Sequence, residues 1–177
     1  MGGMIAQELG LRHPDIPITL TLGCTWAGGP QQVHIPDEDM EELMRLADLP
    51  PEEAIDAGMP WSYSQGFIDK RRDWLRERAL STIDLTQKPE NRERQMAGIM
   101  AHYTSERLGE LKVPVLIVTG TGDRLVSCEN SKLILAAIPH AESIEYPGAG
   151  HLYWDEDPEE VTRAVVGFAR RHSPVPA

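Results

Sequence analysis

Apolar positions along this chain change period several times, and each change marks an element. Met1, Met4, Ile5 and Leu9 fall at i, i+3, i+4 and i+8, one stripe of a helix that Pro14 must end. Gly2 and Gly3 let its first turn sit close to a neighbouring backbone. Ile18-Thr19-Leu20-Thr21-Leu22 then alternates with period two and predicts a strand, and Gly23 to Pro30 breaks the alternation as a loop.

From 37 to 107 the pattern turns helical, rich in Met, Trp, Arg and Glu, with Pro50-Pro51, Met59-Pro60 and Lys88-Pro89 as separators and no strand in evidence. Met40, Leu43, Met44 and Ala47 make one stripe behind an Asp37 cap, and Met96, Ile99, Met100 and Tyr103 another behind Pro89. This stretch reads as a helical insert. Val113 to Val118 is a continuous apolar run, interrupted only by Pro114, which suits a parallel strand buried on both faces. Leu133 to Ile138 predicts a helix stopped by Pro139, and Ala141 to Tyr146 a weaker strand. Asp157-Pro158-Glu159-Glu160 opens a last helix whose buried stripe is Val161, Ala164, Val165 and Phe168, closed by Ser173-Pro174. Strands alternating with helices, without hairpin turns, predict a parallel α/β sheet in a single domain.

Composition narrows the function classes. The 177 residues are 41% apolar and carry 17 Lys plus Arg against 28 Asp plus Glu, a net charge of -11 that disfavours nucleic acid and acidic membrane surfaces as partners. Cys24 and Cys128 have neither metal-knuckle spacing nor the number of a disulfide framework, so a reducing, cytoplasmic setting is expected. No apolar run approaches the ~20 residues a membrane span needs. His13, His34, His102, His140 and His172 lack metal-ligand spacing and are assigned to solvent or helix ends; no phosphate-binding glycine fingerprint occurs, so neither metal nor cofactor is expected.

Two turns carry the candidate chemistry. Thr119-Gly120-Thr121-Gly122-Asp123 and Gly148-Ala149-Gly150-His151 each follow a predicted strand, at the carboxyl edge where the loops of a parallel sheet converge. A histidine acting as general base needs its second nitrogen held by an acceptor, and a carboxylate on the neighbouring loop suits that task. With their order and spacing, these turns resemble the acid and histidine turns of the α/β-hydrolase superfamily, whose members carry Ser, an acid and His in that chain order. Met1 to Gln7 resembles the helix after that family's nucleophile elbow, and Leu22 to Pro30 is most similar to esterase and enol-lactonase-type members.

The resemblance implies a partial α/β-hydrolase fold: the last three strands of a mostly parallel sheet, with residues 1–36 and 108–177 as core and 37–107 as a helical cap. It also implies hydrolysis of a small-molecule carboxylic ester or lactone, with peptidase and C–C bond hydrolase chemistry still open. Asp123 and His151 would be the acid and base, Met1 would stand at the oxyanion-hole position directly after the serine, and Trp26 and Trp154 would line the pocket. The nucleophile itself is expected to be missing, because Cys24, Cys128, Ser127, Ser62 and Ser64 lack the flanking pattern of an elbow. These residues alone should then be inactive. A noncatalytic protein that binds a partner, or itself, through an exposed sheet edge is the alternative.

Overall fold

The computed structural model describes residues 1–46, 48–83 and 88–173. Three parallel strands form one sheet: β1 (Leu20–Gly23), β2 (Val115–Gly120) and β3 (Glu142–Tyr146), in the order β1-β2-β3. Leu20 pairs with Val115 and Leu116 with Glu142, which sets the register of both ladders. The connections are α1 (Gly2–Arg12) ahead of β1, then α2 (Asp37–Leu46), α3 (Pro51–Ser62), α4 (Gln65–Ser81) and α5 (Pro89–Met100) between β1 and β2, and α6 (Cys128–Ala137) between β2 and β3. Finally, α7 (Tyr153–Glu156) and α8 (Pro158–His172) follow β3. The α/β class and the parallel sheet expected from the sequence are both present.

All six residues of β2 are buried, which is why its apolar run is unbroken. Val115 and Ile117 face one layer, where Leu20, Leu22, Leu108, Ile134 and Ile138 join them. Leu116 and Val118 face the other, against Cys24, Tyr153, Val161 and Phe168. Fully burying each such side chain is worth about 1.5–3 kcal/mol, so β2 is the strand on which both layers depend. The helices before β2 hold a separate small core of Met59, Ile68 and Leu75 between α3 and α4. Among the described residues, no strand lies between β1 and β2, as the sequence indicates.

Several expectations are corrected. The face that α1 buries is Met4, Gln7 and Gly10, whereas Ile5 of the predicted stripe is 59% exposed and Met1 is exposed too. Gln7 can be buried because its amide donates to Trp26 O and its carbonyl oxygen accepts from the Thr104 hydroxyl. β1 begins at Leu20 rather than Ile18; the Leu20 amide donates to Pro114 O, and pairing with β2 starts only beyond that proline. Met59-Pro60 does not divide helices, since α3 runs through Pro60 to Ser62 with Met59 and Trp61 buried. The stripes on α2 and α5 are not buried: Met40, Met44, Met96, Met100 and Tyr103 are all exposed. Ala47 and Pro174 lie outside the described residues. By contrast, α8 buries Val161 and Phe168 as its periodicity predicts, and Asp157 caps it by accepting from the Glu160 amide at 3.1 Å.

Candidate active site

The acid and histidine turns meet because the backbone after β2 is stitched to the backbone after β3. The Thr121 amide donates to Tyr146 O at 3.1 Å, the Gly122 amide to Ala149 O at 2.9 Å, and the Gly148 amide to Thr121 Oγ1 at 2.8 Å. Gly120 permits this approach, since a Cβ there would sit 2.3 Å from Ala149 O and 2.4 Å from Gly150 O.

Asp123 then stands at the sheet's carboxyl edge with its side chain fully buried. Its Oδ1 accepts from the amides of Leu125 at 2.8 Å and Val126 at 2.9 Å, an Asx-type turn that fixes the carboxylate plane. Its Oδ2 lies 2.7 Å from His151 Nδ1. The ring of His151 is 26% exposed, so Nδ1 is held from the inside while the ring stays partly open to solvent. A buried carboxylate that fixes the orientation of an imidazole is an arrangement able to serve as an acid–base pair in acyl transfer.

Cys24 completes the cluster. Its backbone, directly after β1, has φ of 40°, the left-handed region that a side chain rarely adopts. Its Sγ, an Asp123 oxygen and a His151 nitrogen all lie within 4.8 Å of one another. Burial, reinforced by the adjacent Asp123 carboxylate, pushes the thiol up to about 12, so near neutral pH it is an uncharged donor rather than a thiolate nucleophile. The three groups could also be read as cation ligands, but both oxygens of Asp123 are already engaged by hydrogen-bond donors.

The other sequence candidates are placed as follows. Met1 precedes α1, whose first turn meets the loop after β1: a Cβ on Gly3 would lie 2.6 Å from Thr25 Cβ, one residue beyond Cys24. Met1 also lines a cavity of about 510 Å³ between α1 and α5, with Ile5, Leu9, Ile99 and His102. Trp26 is half-buried, and Trp154 is 40% exposed with its ring edge-on to Tyr153 at 5.0 Å. Ser127 is the N-cap of α6, and Ser64 that of α4. His102 is not free in solvent; it joins the Gln7–Thr104 network, where burial lowers its pKa. His140 lies 3.0 Å from Val113 O. The sequence presents Cys24 only as a thiol without an elbow and gives no sign of its place beside Asp123, because that placement depends on a backbone turn with no local motif.

Comparison with known proteins gives the family and the fold. A family model described as "Alpha/beta hydrolase family" matches residues 1–164. The chain is 24% identical, over 97% of its length, to the pimeloyl-[acyl-carrier protein] methyl ester esterase of Hamiltonella defensa. It is 27% identical, over 95% of its length, to the 2-hydroxy-6-oxononadienedioate/2-hydroxy-6-oxononatrienedioate hydrolase of Cupriavidus pinatubonensis. It spans 67% and 59% of those two relatives. Among solved structures, the enol-lactonase from Burkholderia xenovorans LB400 superposes with a TM-score of 0.78 at 21% identity, over 96% of this chain and 63% of that one. With the family model covering nearly the whole chain and the fold matching, the chain belongs to the alpha/beta hydrolase family.

Proposed function

We propose that this chain supplies the acid and the base of a serine hydrolase acting on a carboxylic ester or lactone, with Asp123 orienting His151. The observation that carries the reading is the 2.7 Å contact between a buried carboxylate and a partly exposed imidazole at the carboxyl edge of the sheet. In the reaction, a serine Oγ attacks the carbonyl carbon and its proton passes to His151 Nε2. The imidazolium then protonates the leaving alkoxide as the ester C–O bond breaks, and water repeats the sequence on the acyl-enzyme. Acyl transfer of this kind needs no cofactor or metal.

The serine in this reading comes from outside the 177 residues, next to Met1, whose nitrogen would take the oxyanion position. Two observations support that: the neutral state of the Cys24 thiol, and the greater length of the curated relatives. Residues 37–107 form the cap that selects the substrate, with Trp26 and Trp154 as pocket walls. Free cysteines at 24 and 128 support a cytoplasmic setting; no helix among the described residues is long and apolar enough to cross a membrane.

The test is labelling with a serine-directed fluorophosphonate, alongside hydrolysis of p-nitrophenyl acetate and a γ-lactone. The 177-residue chain should neither label nor exceed background, and a longer polypeptide with a serine immediately before Met1 should do both. Labelling of a serine within these 177 residues would overturn the reading.

A second role, self-association through the open side of the sheet, is supported by the exposure of Ile5 and Ile18 beside the edge strand β1. Sedimentation at micromolar concentration should show dimers or larger species, and a strict monomer removes this role.

A further inference from the structure

The backbone on either side of His151 is held by the turn that joins α3 to α4. The Leu152 amide donates to Ser62 O at 2.8 Å, while the Gly150 amide donates to Glu156 Oε1 at 2.8 Å. The same Oε1 accepts from the Ser64 amide at 2.8 Å, and Glu156 Oε2 accepts from the Ser64 hydroxyl. One carboxylate therefore ties the residue before the histidine to the N-cap residue of α4. The approach is close enough that a Cβ on Gly150 would lie 2.6 Å from Ser62 O. The neighbouring Asp155 repeats the link, accepting from the Tyr63 hydroxyl at 2.9 Å and from Arg78 at 2.6 Å.

From this geometry we infer that Glu156 is a positioning residue: it sets the height of the His151 imidazole by clamping the histidine loop to the α3–α4 turn, so that movement of that turn is transmitted to the base. The inference rests on the reading of His151 as the base. A carboxylate accepting amide hydrogens is a stronger tether than a neutral acceptor, and three donors converge on this one. Nothing in the local sequence announces it, because the partners are 92 residues apart.

The experiment reads the His151 Nδ1–H proton by NMR in the ¹⁵N-histidine-labelled 177-residue chain, assigned by its loss in His151→Gln. In Glu156→Ala, loss of the charged acceptor should speed exchange of that proton with solvent by about tenfold. Amides of β2 should keep their protection, which a merely structural effect would not allow. Glu156→Gln should recover most of the slow rate, since its single carbonyl oxygen can still accept from both Gly150 and Ser64, though without the carboxylate's charge. Ser64→Pro removes both Ser64 donors at a residue whose φ of -65° suits proline, after an extended Tyr63, and should reproduce the effect. It also decides the matter alone if Glu156→Ala does not fold.

Unchanged exchange in Ser64→Pro overturns the link to the α3–α4 turn. Unchanged exchange in Glu156→Ala overturns the tether. Asp123→Asn separates the two readings: if it leaves the Nδ1–H resonance in place, the Asp123–His151 pair itself is wrong, whereas loss of the resonance there with unchanged exchange in Glu156→Ala removes only Glu156.

Discussion

If Asp123 orients His151 as proposed, Asp123→Asn should lower kcat for ester hydrolysis by about 10⁴-fold in a polypeptide that carries the nucleophile, with KM little changed; that is the magnitude known for the same exchange in the chymotrypsin triad. The cause is legible in the hydrogen bonds. Asp123 Oδ1 is committed to the Leu125 and Val126 amides, so an asparagine must keep its carbonyl oxygen there and turn its NH₂ toward His151. An NH₂ donor 2.7 Å from Nδ1 requires that nitrogen to be bare, which moves the ring proton to Nε2. Nε2 is the atom that must accept the serine proton, so the base is disabled while the fold and the cleft persist. ¹⁵N shifts of His151 report the tautomer directly in the 177-residue chain. A fall in kcat of only tenfold, or an unchanged tautomer, would show that Asp123 does not orient the ring.

The parts of this site readable from sequence are those with short-range physical causes. Asp123 and His151 follow strands through glycine turns, and the glycines announce a close approach that the structure makes explicit at Gly120. β2 is legible because burial on both faces removes the need for alternation, and α8 because proline, an acidic cap and an apolar stripe all agree. The stripes of α2 and α5 mislead because periodicity records which residues share a face, not whether another element covers it; Met44 and Met100 have the right spacing yet are 66% and 74% exposed. On α1 the error ran the other way: Gln7 is polar yet belongs to the buried face, because Trp26 and Thr104, distant in sequence, satisfy its amide. Pro60 predicts a boundary, yet the burial of Met59 and Trp61 outweighs the single helical hydrogen bond it forfeits. Cys24 beside Asp123, and Glu156 between the histidine loop and Ser64, are purely tertiary and leave no periodic or motif signal.

Phe168→Ala costs about 3–5 kcal/mol, a large part of the 5–15 kcal/mol that holds a domain folded. Phe168 is 1% exposed and packs from α8 into the layer formed by Leu116, Val118, Val161 and Tyr153. Neighbours cannot collapse into the space it leaves, because Leu116 and Val118 are fixed by pairing on both sides of β2, and Tyr153 is held by stacking on Tyr146 at 5.5 Å. The cavity therefore persists, and cavity plus lost transfer energy set the cost. Urea unfolding should show a lower midpoint at an unchanged m-value, while Val166→Ala on the exposed side of the same helix stays within about 0.5 kcal/mol. The position bears on chemistry as well as stability. β2 leads directly into the turn that carries Asp123, and Tyr153 lies two residues beyond His151, so both ends of the acid–base contact rest on the layer that Phe168 fills. The His151 Nδ1–H proton should therefore exchange faster in Phe168→Ala in step with the β2 amides, the coupled behaviour expected when the whole layer opens. A cost below about 1 kcal/mol would mean that the layer repacks, and that the acid and the base are positioned by their loops alone.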